Sequence, residues 1–142
     1  MTTLTILRVP LPPRSLKPNQ NVTWRVRSAP TAAYREQCRK AAEGLSFDGK
    51  LRMSLAFCIK GARGTCPHPR RAPKPGKALR PCRRCPYAPH DESNALAAFK
   101  AGQDGIFDAL GRKDSRKNLT IGEVRIDATR GPWVEVVLEV VG

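Results

Sequence analysis

The sequence predicts an α/β chain of the α+β kind: one domain in which a mixed β-sheet is backed by two helices and interrupted by a basic, proline- and cysteine-rich insertion at 61–89. Three observations point there. Short stretches alternate apolar and polar residues near both ends of the chain and in its first half, which is the period of a half-buried strand. Two stretches with helical periodicity lie between them. Between 61 and 89 the composition changes: seven of the 13 prolines fall there and no apolar period survives. At 142 residues and 40% hydrophobic content the chain has the size and the apolar complement of a single core.

Each element has its own signal. Residues 3–9 alternate, then meet Pro10, Pro12 and Pro13, which cannot continue a ladder, so a strand enters a loop. The loop reaches Trp24-Arg25-Val26-Arg27, where Trp24 either anchors the loop on the core or lies with Lys17, Arg25 and Arg27 against a phosphate backbone. Residues 31–43 read as a helix ended by Gly44. Residues 51–59 alternate, with Leu51, Met53, Leu55, Phe57 and Ile59 on one face. A helix is expected from Ser93 or Asn94 to Gly111, because Leu96, Phe99, Ile106, Phe107 and Leu110 share a face; Lys100, Asp104 and Asp108 line the neighbouring one. Gly102 and Gly105 weaken that helix by roughly 1 kcal/mol each against Ala, which points to close packing at those positions. Residues 119–126 and 133–141 read as a closing hairpin around Thr129-Arg-Gly-Pro132.

Charge sets the class of partner. Twenty-six Lys and Arg against 12 Asp and Glu leave +14, and a polyanion, nucleic acid first, is the expected ligand. No acid occurs between Gly49 and His90, where Arg70, Arg71, Arg83 and Arg84 are expected to contact DNA. The start of the chain lacks a signal-peptide pattern and no long apolar run exists, so the expected location is cytoplasmic, with no membrane partner.

Five cysteines without a secretion pattern argue against a disulfide framework. Cys82-Arg-Arg-Cys85 is a C-x2-C knuckle, and Cys66-Pro-His68 lies upstream in the same insertion. Cys66, Cys82 and Cys85 with His68 or His90 would complete a tetrahedral structural Zn2+ site, a staple for a segment that has few apolar groups to offset its chain entropy. The alternative is free cysteines in a loop. Cys38 and Cys58 fall on predicted elements and read as core. Seven of the 12 acids lie between Asp91 and Asp127. Carboxylates set in a basic protein are the arrangement a metal-dependent nuclease needs, because cations hold the phosphates and oxygen donors hold Mg2+; solvated helix charges are the plainer account of Asp108 and Glu123.

Leu11-Pro-Pro-Arg-Ser-Leu-Lys-Pro-Asn19, Trp24, Tyr34-Arg35, Asp91-Glu-Ser-Asn94, Lys100-Ala-Gly-Gln-Asp104, Asp108-Ala-Leu-Gly111 and Asp114 follow one another in an order that resembles the RusA-type Holliday-junction resolvases of phages and prophages. The likeness spans nearly the whole chain outside the insertion. It implies a homodimer that cuts branched DNA with Mg2+, using Asp91, Lys100 and Asp114, with Asn94 capping the helix or orienting a carboxylate and Asp104 in support. Ser93 and Ser115 stand where the family carries acids, and Glu92 is the candidate replacement ligand beside Asp91 and Asp114. The rival expectation is a non-catalytic nucleic-acid-binding protein of the same fold; a small RNA-binding zinc protein is a third.

Overall fold

The computed structural model describes residues 4–13, 16, 24–60, 72, 74–76 and 92–141, the side chains of 24–27 and 92–94 excepted. The elements are β1 (Leu4–Val9), α1 (Trp24–Ala41), β2 (Leu51–Cys58), α2 (Glu92–Ala98), α3 (Lys100–Leu110), β3 (Leu119–Asp127) and β4 (Trp133–Val140). The α+β expectation holds: one four-stranded mixed sheet runs in the order β1-β4-β2-β3.

Alternation in β2 decides which face is inside. Leu51, Met53, Leu55 and Phe57 are buried on one side, and Val134, Val136 and Leu138 continue that face on β4. Tyr34 and Cys38 of α1, Phe99 at the α2–α3 junction, and Ile106 and Phe107 of α3 cover it in one apolar cluster. Phe99, fully buried, meets Tyr34 and Phe57 edge to face at centroid distances of 6.3 and 6.2 Å, so a single ring joins the first helix, the central strand and the helix junction. Each such pair adds about 0.5–1.5 kcal/mol beyond burial.

The helix glycines do what their cost suggested. A Cβ on Gly105 would collide with the carbonyl oxygen of Arg35, and one on Gly102 would stand 2.6 Å from the Phe99 ring. Glycine therefore sets how closely α3 lies on α1. Cys38 and Cys58 are fully buried, as expected of core residues.

Several boundaries differ from the sequence reading. First, α1 begins at Trp24 and continues through Pro30, where the sequence reading began the helix at residue 31; Trp24-Arg25-Val26-Arg27 is a helical turn and not a loop. The expected single helix is α2 and α3, divided at Phe99, although the N–H of Phe99 still reaches Ala95 at 3.1 Å and the N–H of Gln103 reaches Phe99 at 3.0 Å. α2 begins at Glu92, one residue before the earliest start the sequence suggested, and Asn94 lies inside it.

The largest correction concerns the closing hairpin. Both strands exist, but β2 lies between them, parallel to β3 and antiparallel to β4. The linking turn crosses the end of β2: Ile59 donates to Asp127 at 2.8 Å, and a Cβ on Gly131, whose φ is 128°, would collide with the carbonyl oxygen of Cys58. A short loop rich in turn residues suits a hairpin and a step over one strand equally, and local sequence does not distinguish them.

Candidate active site

Lys100 opens α3, and helical spacing places Asp104 and Asp108 on successive turns of the same stripe. The helix ends at Gly111, which takes the left-handed conformation (φ 67°) that only glycine adopts without penalty, and the chain turns back. That reversal returns Asp114 to the start of the helix. The Lys100 ammonium donates to Asp104 Oδ1 at 2.9 Å and also to Asp114 Oδ2. Gln103 Nε2 donates to the same Asp114 oxygen at 2.8 Å.

Two carboxylates thus converge on one ammonium, and the electrostatics follow. Partial burial disfavours the Lys100 charge, but hydrogen bonds to Asp114 and Asp104 outweigh it and raise its pKa above the ordinary lysine value. The Lys100 hydrogen bond holds Asp114 below the usual carboxylate range, against desolvation, and Gln103 adds to the effect. Lys100 and Asp114 are therefore ionised at neutral pH. Gln103 is 9% exposed, a buried amide whose donor is spent on orienting Asp114.

One turn further along, Asp108 accepts a two-pronged bond from Arg35 of α1, 2.6 Å from Nε and 2.8 Å from Nη2. The close approach at Gly105 makes this reach possible. Arg39 forks onto Glu36 in the same way, at 2.8 and 2.6 Å. Arg35 also feels the charges of Asp104 and Asp114, so the stripe on α3 and the exposed side of α1 form one electrostatic unit.

The structure brings together Lys100, Asp104 and Asp114 from the sequence-derived set. Asp91, Lys17, Arg70, Arg71, Arg83, Arg84, Cys66, His68, Cys82, Cys85 and His90 lie outside the described residues; Glu92, Asn94, Arg25 and Arg27 are placed by backbone alone. Among the described residues no three His, Cys, Asp or Glu side chains are grouped to hold a metal ion. Sequence reasoning missed Gln103 and gave Arg35 no role. Arg35 had a signal, since a basic residue on the neighbouring helix is the natural partner for a carboxylate stripe; Gln103 had none. No helix among the described residues is long and apolar enough to cross a membrane. No protein-family model matches the chain, and comparison with curated proteins also finds no match.

Proposed function

We propose that this protein is a Mg2+-dependent endonuclease of the RusA type that cuts branched DNA, such as Holliday junctions, as a homodimer. The observation that supports this most directly is the meeting of Lys100 and Asp114. They are 14 residues apart, the family resemblance assigns both to the site, and an ordinary i,i+4 ion pair with Asp104 would not have required Asp114 to be there.

The donor chemistry suits the metal. Asp114 offers hard carboxylate oxygens, the type Mg2+ prefers. Asp114, with Asp91 and Glu92, would hold the ion, which when bound polarises the scissile phosphate and lowers the pKa of an attacking water. Gln103 fixes the orientation of Asp114 and so limits the rearrangement that metal binding requires. Lys100 holds a full positive charge beside the carboxylates, where it can stabilise negative charge developing on phosphate oxygens. Asp104 keeps the ammonium in place on the helix. The insertion, stapled by Zn2+ through Cys66, His68, Cys82 and Cys85, would enlarge the DNA-binding surface with Arg70, Arg71, Arg83 and Arg84.

A second reading keeps the fold and DNA binding without cleavage. The exposed Ser115 beside Asp114, in place of an acid, favours it. End-labelled four-way junction incubated with Mg2+ or with EDTA separates the two. Paired nicks near the junction centre are expected only with Mg2+, falling about 100-fold or more in Lys100→Ala and in Asp114→Asn while both variants keep the wild-type circular dichroism. Tight junction binding with no scission, equal in all three proteins, would establish the non-catalytic reading.

A further inference from the structure

Between α3 and β3 the chain reads Gly111-Arg-Lys-Asp-Ser-Arg-Lys-Asn118, four cations and one acid in eight residues. One of the cations is consumed internally. Arg112 donates to the carbonyls of Phe47 at 3.3 Å and Gly49 at 2.6 Å and to Asn118 Oδ1 at 3.3 Å. Asn118 closes the turn: its side-chain amide donates to the Lys113 carbonyl at 2.9 Å, its N–H donates to Ser115 at 2.9 Å, and its carbonyl accepts from Leu51 of β2 at 2.8 Å. The loop is therefore fastened to β2 by its own backbone, to the segment before β2 by Arg112, and to itself by the Asn118 side chain.

That fastening leaves Lys113, Arg116 and Lys117 exposed. Their situation contrasts with that of the described arginines outside the loop. Arg8, Arg35, Arg39, Arg52, Arg125 and Arg130 each stand within ion-pair distance of a carboxylate. Lys113, Arg116 and Lys117 form no ion pair with another described residue, and the acid among them, Asp114, is already shared by Lys100 and Gln103. Three like charges within five residues repel one another, so their counter-charge has to come from outside the described structure.

We infer that the loop from Gly111 to Asn118 is a preformed clamp for the phosphate backbone of DNA, gripping it through Lys113, Arg116 and Lys117. A strand of regularly spaced phosphates supplies the missing counter-charges in series, and a loop already fastened loses little freedom on binding. The clamp brackets Asp114, so a strand held there passes over the carboxylates and Lys100. That last point rests on the nuclease reading; the binding itself does not.

The test compares two triple variants that remove equal charge, Lys113→Gln/Arg116→Gln/Lys117→Gln on the loop and Arg8→Gln/Arg52→Gln/Arg125→Gln on the open face of the sheet. Binding to a fluorescent four-way junction is measured in EDTA across a salt series, which separates binding from cleavage. The loop variant is expected to lose about tenfold or more in affinity near physiological salt and to flatten the salt slope by about 2–3, close to one released ion per lost phosphate contact. The sheet variant should keep both within about twofold and half a unit. If the loop variant binds with wild-type affinity and slope, or if both triples weaken alike, the clamp is refuted. Wild-type cleavage alongside either result would leave the nuclease reading standing. Loss of binding in the loop variant from a wild-type protein that binds but never cuts would support the clamp and refute the nuclease.

Discussion

At the residue scale, neutralising partners decide what each charge can do. Asp127 shows this away from the candidate site: it accepts from the Thr129 hydroxyl, from the Thr129 N–H at 2.9 Å and from Arg130 Nε at 3.1 Å. These bonds, the Thr129 hydroxyl first, hold its carboxyl far below the usual range. A pKa lower in the folded state than in the unfolded chain gives stability that is complete above the unfolded value, about 3.9, and is lost as pH falls toward the folded one. Asp127→Asn should therefore melt earlier than wild type at pH 7, with the gap shrinking as pH drops from about 4 to about 2 in urea titrations. A gap of constant size across that range would show that the carboxylate's charge is not what matters. Legibility at this scale follows spacing. Lys100 with Asp104 is written in the i,i+4 rule, but the arrival of Asp114 depends on the chain reversal at Gly111, and Gln103 looks like any polar helix residue until its neighbour is known.

At the scale of elements, periodicity located each of the four described strands, because burial on one face of the sheet imposes alternation directly. It did not reveal strand order, which depends on contacts between distant segments; the step of the last connection over β2 left its mark only in Gly131-Pro132, which a hairpin would also carry. The helix glycines were more informative. Both are costly inside a helix, and both proved to sit where a backbone or a ring comes too close for a side chain. Gly105→Ala should be the more damaging. Its obstacle is the α1 backbone, which cannot rotate away, whereas the Phe99 ring facing Gly102 has some freedom to shift. A loss of about 1–3 kcal/mol is expected for Gly105→Ala in chemical denaturation, the usual range for overpacking. Because α3 must move off α1 to admit the methyl group, the Arg35–Asp108 bond should weaken with it, and unaltered stability would mean that the two helices are not held as closely as described.

Across the whole molecule, charge and apolar contact are separated. The open face of the sheet carries Leu4 and Ile6, each more than half exposed, among arginines already matched to Glu135, Glu139 and Asp127. The loop after α3 carries cations without such partners among the described residues, and more than half of the net charge of the sequence lies in the insertion. The apolar cluster, meanwhile, closes with residues from β1 to β2 and from α2 to β4 and takes none from 61–91 among those described. This division predicts how the chain responds to loss of the proposed zinc. One Zn2+ per chain is expected from elemental analysis, absent in Cys82→Ser. Because a structural zinc supplies folding free energy to the segment it staples, chelation should loosen the insertion and weaken DNA binding. The core formed by the described residues should keep its thermal midpoint to within about 2 °C, a shift worth less than about 1 kcal/mol in a chain this long. A fall of about ten degrees or more on chelation, several kcal/mol at this chain length, would mean that insertion and core fold as one unit, and zinc-free protein with unchanged DNA affinity would remove the staple from the account altogether.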